Sequence, residues 1–153
     1  MSKFIMVGCD LHDRMMMLKI AEGREPAETM SVPNTAAGRA RMIERLQVRA
    51  QAAGNARILF AYEASGQGFG LYDQLTDAGI QCHVLAPTKI ARSAQQKRVK
   101  TDEKDALSLL ELLKGHVLAG NRLPTIWAPD PQTRDDREVV RARLDAASKL
   151  TAV

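Results

Sequence analysis

Four acidic residues stand where an α/β sheet gathers its chemistry, at or near strand ends. Asp10 directly follows the apolar run 4–9, and Glu63 directly follows the run 57–62. If those two strands are neighbours, both carboxylates face one crevice. Asp102 and Asp105 lie three residues apart at the start of a helical pattern, which puts them on one helix face. Carboxylates crowded into a partly desolvated site need a cation, because like charges repel there. Magnesium suits such a set, since it takes hard oxygen ligands and keeps water and phosphate in its shell, and manganese is its natural substitute. Two such ions, about 4 Å apart, would activate an attacking oxygen and stabilise the leaving one in phosphodiester cleavage. The plainer roles are an aspartate that forms a turn after a strand and an Asp102 that only caps its helix. Glu63 fits those roles least, because glutamate is a poor turn residue after three apolar positions.

The elements that must position these acids are legible in the hydrophobic pattern. Residues 4–9 (FIMVGC) and 14–21 (RMMMLKIA) read as strands, joined by the polar turn Asp10 to Asp13 into a hairpin. Residues 28–32 read as a third strand, ended by Pro33-Asn34. Thr35 is placed to cap a helix over 36–53, in which Met42, Ile43, Leu46 and Ala50 recur at helical spacing before Gly54 stops it. A fourth strand is expected at 57–62, a helix at 69–78 and a fifth strand at 80–86. Three antiparallel strands, a helix and then strand–helix–strand imply an α/β fold with a mixed five-stranded sheet. A helix is expected from Asp102 or Glu103 to about Leu113, ended by Lys114-Gly115, and residues 88–100 are expected to be partly helical. Residues 124–131 read as a spacer. From Thr133 onward a charged helix carries Val139, Val140, Leu144, Ala147 and Leu150 on one side; it would serve helix–helix contact or dock on its own domain.

At 153 residues the chain can bury a core, and its apolar runs are strand-length. With no membrane span and no secretory leader in the pattern, a cytoplasmic protein is expected. Cys9 and Cys82 sit in apolar runs and read as buried reduced thiols, and the sequence lacks the ligand spacing of a zinc site. The 22 basic against 18 acidic residues make the chain only mildly basic, so the distribution matters more than the sum. Lys89, Arg92, Lys97, Arg98 and Lys100 follow one another with no acid between, which suits a phosphate backbone or, more plainly, a solvated face. Aromatic residues are too few for a base-stacking platform. Gly66, Gly68 and Gly70 imitate a dinucleotide loop without its full spacing. Ser65 has no histidine placed to activate it. His12 reads as a polar turn residue, with contact to a metal or phosphate as its other role. His83 reads as structural, His116 as a helix-end residue, and Met15 to Met17 as strand and core filling.

Three segments carry a family resemblance. Gly8-Cys9-Asp10-Leu11-His12, Ala61-Tyr62-Glu63-Ala64-Ser65-Gly66 and Val99-Lys100-Thr101-Asp102-Glu103-Lys104-Asp105-Ala106 resemble the motif blocks of the DEDD transposases. These are insertion-sequence recombinases related to the pilin-gene invertases. The Lys-Thr-Asp-x-x-Asp-Ala block is the most specific, and the resemblance covers residues 3–150. It implies an N-terminal RuvC-like nuclease domain of ribonuclease H-like fold over 1–123, with 124–153 as linker and start of a coiled-coil segment. It implies Asp10, Glu63, Asp102 and Asp105 as catalytic acids and ligands of two magnesium ions. DNA is then the substrate, a structured bridge RNA the guide in the insertion-sequence branch, and a homo-oligomer the intact form. The family's C-terminal domain, with a serine nucleophile, would follow where this chain stops. Three rivals remain at this point: a stand-alone Holliday-junction resolvase-like nuclease, a non-catalytic nucleic-acid-binding module with structural acids, and a sugar-kinase or actin-like ATPase. The last shares the hairpin with an Asp at its start, but the sequence shows no second Asp-Gly phosphate loop.

Overall fold

The structure is a computed structural model that describes residues 4–66, 68–87, 102–126, 128 and 131–151. Along the chain these form β1 (Phe4–Leu11), β2 (Met15–Glu22), β3 (Glu28–Pro33), α1 (Ala36–Ala52), β4 (Arg57–Glu63), α2 (Gly70–Asp77), β5 (Gln81–Leu85), α3 (Asp102–Ala119) and α4 (Pro131–Thr151). The sheet order is β3-β2-β1-β4-β5. β1 pairs antiparallel with β2 and parallel with β4, β2 pairs antiparallel with β3, and β4 pairs parallel with β5. Only β2 therefore runs against its neighbours, and the architecture is the ribonuclease H-like mixed sheet with helices on both faces.

The period-two alternation of the strands sorts their side chains into two cores. Ile5, Val7 and Cys9 of β1 join Leu18 of β2, Phe60 and Tyr62 of β4, and Met42 and Leu46 of α1 on one face. Met6 of β1 joins Ala21, Leu59 and Ala61 under Leu109, Leu110 and Leu113 of α3 on the other. By the same alternation Gly8, Asp10, Lys19 and Glu63 belong to the α3 face. Thr35 caps α1 as its sequence position implies, its Oγ1 accepting from Gly38 N at 2.9 Å.

Gly8 sets how closely α3 lies on β1. A Cβ there would collide with the carbonyl oxygen of Ala106 and the amide nitrogen of Leu110, and would stand 3.0 Å from Leu110 Cα. The glycine of the Gly8-Cys9-Asp10 block is thus a helix–strand contact point, two residues from Asp10.

The boundaries depart from expectation in three places. Asp10 lies inside β1, paired with Met17, rather than in the turn after it. α3 runs on to Ala119 instead of ending at Lys114-Gly115. Gly115 lies inside the helix, and Gly120, at φ +71°, follows the true end. Part of the expected spacer is tied to the sheet: Ala86 N donates to Pro124 O at 2.7 Å and Ile126 N to Val84 O at 2.9 Å, which covers the β5 edge. The segment 88–100, with its expected helical part, lies outside the described residues.

Cys9 is buried and Cys82 half-buried, both as free thiols. Burial holds both thiols protonated, Cys82 being pushed up to about 12. α4 begins docked: Arg134 forms a two-pronged ion pair with Asp73 of α2 at 2.7 and 2.8 Å and lies over the Phe69 ring. Further along, Val139, Val140 and Leu144 are more than half exposed. No helix among the described residues is long and apolar enough to cross a membrane.

Candidate metal centre

The sheet brings Asp10 and Glu63 to one end of two neighbouring parallel strands. The last paired residues of β1 and β4 are Cys9 and Tyr62, so Asp10 and Glu63 come next in the same register. α3 crosses the same face with its N-terminal turn at that end, carrying Asp102, Glu103 and Asp105. Placing three acids in the first turn suits the helix dipole and costs the fold little.

Asp10 and Asp102 converge on one atom. His12 Nε2 stands 2.7 Å from Asp10 Oδ2 and 2.8 Å from Asp102 Oδ1. The three ligand atoms all lie within 4.8 Å of one another. Asp105 acts on Asp10 through its charge, and it shares the lining of a cleft with Glu63, Ser108 and Leu112. The expected acids therefore gather at one end of the sheet, Asp10 with Asp102 and Glu63 with Asp105. Lys89, Arg92, Lys97, Arg98 and Lys100 lie outside the described residues.

The electrostatics are those of a site short of positive charge. Burial raises the Asp10 pKa above the ordinary carboxylate range; His12 pulls it back, and the charges of Asp105 and Asp102 push it up again. Burial works against a charged His12, but Asp10 and Asp102 outweigh it and hold the imidazole above the usual histidine range. Oxygen-rich, partly desolvated and repelling one another, these carboxylates fit a hard divalent cation.

Lys19 was not foreseen, and His12 was given metal or phosphate contact only as its second role. His12, read first as a polar turn residue, reaches both aspartates because β1 extends to Leu11 and aims the turn across the N-terminus of α3. Lys19, hidden inside an apolar strand, is 9% exposed and faces α3. Its Nζ donates to Glu103 Oε1 at 2.6 Å and to Thr29 Oγ1. The only sequence signal was a lysine at an inward position of the strand MMMLKIAE, whose partner lies 84 residues away.

The Lys19–Glu103 pair latches the first turn of α3 to β2 and so holds the aspartates on either side of Glu103 in place. Groups that orient ligands typically contribute 10–100-fold to metal affinity. Glu103→Ala is expected to weaken manganese binding about tenfold with far-UV circular dichroism unchanged; full affinity in the variant would show that α3 seats itself without the latch. Hydrogen bonding and charge from Lys19, then Thr29, hold Glu103 below the usual glutamate range. The latch is therefore complete above that range and is lost as pH falls through the depressed value.

Residues 7–153 match the model of the DEDD transposase family of the IS110 type, described as a transposase. The protein y4qE of Sinorhizobium fredii, which bears a transposase name, is 32% identical over 147 residues, covering 94% of this chain and 35% of its own length. The transposase for insertion sequence element IS1533 of Leptospira borgpetersenii is 28% identical over 116 residues, covering 74% of this chain and 32% of its own. The chain thus spans about a third of the length of these relatives. Among solved structures, RuvC of T. thermophilus in complex with a Holliday junction substrate aligns at a TM-score of 0.49 and 11% identity, over 79% of this chain and 99% of that one.

Proposed function

Because the chain belongs to the DEDD transposase family of the IS110 type, we propose that it is the N-terminal catalytic domain of a DNA transposase or site-specific recombinase, with Asp10, Glu63, Asp102 and Asp105 as the ligands of divalent cations. The observation that carries this reading is the convergence of Asp10 and Asp102 on one point, from two motif blocks 92 positions apart in the chain, with the Asp105 charge acting on Asp10. A divalent cation held there would stabilise negative charge on a phosphodiester and align the attacking oxygen.

The chain's own residues have separable parts in this scheme. Asp10, rooted in the central strand, is the fixed ligand. Asp102 and Asp105 arrive on α3 and depend on its docking through Gly8 and Lys19. Glu63 closes the far side from β4. Residues 1–123 form the nuclease domain and 124–153 connect it to a serine-bearing domain beyond this chain. In the intact protein that serine would attack a DNA phosphate bound at these carboxylates through the cation, forming a phosphoserine ester and releasing the sugar hydroxyl of the cleaved strand. Magnesium is the proposed ion, manganese its substitute, DNA the substrate, a structured RNA the guide and a homo-oligomer the working form.

The basic stretch supplies the test on the nucleic-acid side. Replacing Lys97, Arg98 and Lys100 by glutamine is expected to weaken duplex binding by fluorescence anisotropy. It should also flatten the dependence of log affinity on log salt by roughly one unit for each phosphate that is no longer neutralised. An unchanged salt slope would contradict the proposal that these cations track the DNA backbone.

A further inference from the structure

We propose that His12 is a nitrogen ligand of the cation held by Asp10 and Asp102, making the centre a mixed nitrogen–oxygen site rather than an all-carboxylate one. The inference rests on the metal reading above and names a ligand that the four-acid motif does not contain. Three features of the molecule carry it.

The first is convergence. Nε2 stands 2.7 Å from Asp10 Oδ2 and 2.8 Å from Asp102 Oδ1. Neighbouring ligands of an octahedral ion with bonds of about 2.1 Å are about 3 Å apart. Both distances from Nε2 are therefore within a few tenths of an ångström of the spacing that shared ligation requires, and the three atoms together span no more than 4.8 Å. Whatever the charge of the ring, Nε2 carries at most one proton and can serve only one of the two carboxylates well, whereas a cation would serve all three atoms.

The second is the hold on the turn. His12 N donates to Met15 O at 3.0 Å, and His12 O accepts from Asn34 Nδ2 at 2.7 Å. Asn34 is itself braced by Arg39 Nη1 of α1 at 2.7 Å, and Arg39 Nε donates to Gln74 of α2 at 2.8 Å. The imidazole is thus presented by a turn fixed to the helical layer on the far face of the sheet.

The third is chemistry. Imidazole is a common ligand of first-row transition ions, whereas magnesium favours oxygen. A nitrogen in the set shifts the balance from magnesium toward manganese without excluding magnesium.

The test is pulsed electron paramagnetic resonance of the chain loaded with manganese, paired with calorimetric titration of manganese and of magnesium. The wild type is expected to show nitrogen modulation of the manganese signal. His12→Asn should lose that modulation and bind manganese about tenfold more weakly, with a smaller change for magnesium, while His83→Asn keeps the modulation. Manganese bound in an Asp10-dependent way without nitrogen modulation, or modulation that survives in folded His12→Asn, would overturn the role of His12 and leave the carboxylate site standing. No manganese binding by the wild type, with or without added DNA, would overturn both.

Discussion

Gly8→Ala is expected to destabilise the chain by about 3 kcal/mol or more, at the upper end of what overpacking costs, and to abolish saturable manganese binding. The added methyl would occupy space held by Ala106 O and Leu110 N, both backbone atoms of α3. A side chain in that position could rotate away, but a helix backbone can yield only by moving as a unit. If α3 lifts, Leu109, Leu110 and Leu113 withdraw from Met6, Leu59 and Ala61, and voids between packed surfaces are themselves unfavourable. Asp102 and Asp105 travel with the helix, so stability and metal affinity fall together. Urea denaturation at neutral pH measures the first and calorimetry the second. A loss below about 1 kcal/mol, with binding intact, would mean that α3 does not need this close approach.

Asp10→Asn is expected to act in the opposite sense on stability while removing metal binding. The folded-state pKa of Asp10 is raised, first by burial and also by Asp105 and Asp102, against the pull of His12. A carboxyl whose folded pKa lies above its unfolded value favours the fold in its protonated form. That contribution is complete below the unfolded value of about 3.9 and is lost as pH rises through the folded one. At neutral pH without metal, the ionised Asp10 is thus a liability that asparagine lacks. His12 adds to the trend, because its own raised pKa means that the stability from its charge is lost as pH rises through the folded value. In chelator, the Tm of Asp10→Asn should exceed that of the wild type at pH 7, and the gap should close toward about pH 4. Saturating manganese should raise only the wild type, by about 3 kcal/mol at roughly one hundred times the dissociation constant. An Asp10→Asn chain that melts below the wild type in chelator at pH 7 would show that this carboxylate serves the fold rather than a ligand.

Much of this was legible in the sequence because local rules and global fold agree. The unbroken apolar run FIMVGC marks a buried strand, Thr35 marks a helix start, and the strand–helix–strand run after Arg57 requires parallel neighbours. The acids could be singled out because Asp10 and Glu63 end apolar strands and Asp102 and Asp105 share a helix face. What stayed hidden depends on contacts between distant residues. The lysine of β2 stands inside an apolar strand with no local partner, and its role appears only when Glu103 is placed against it. Gly115 reads as a helix stop, since nothing local shows that the helix runs on to Ala119. His12 could not be lifted above a turn residue, because its reach to Asp102 depends on how closely Gly8 lets α3 approach β1. The resemblance carried by the three motif blocks supplied what positional reasoning left open, and the family match over residues 7–153 agrees with it.

The central claim is that acids from β1 and α3 form one cation site, and manganese titration by calorimetry of the wild type, Asp10→Asn and Asp105→Asn tests it most directly, with folding checked by circular dichroism. The account predicts saturable binding to the wild type and its loss in both folded variants, because each removes a carboxylate from the same centre. Binding that persists in either folded variant, or that is absent from the wild type with and without added DNA, would contradict it.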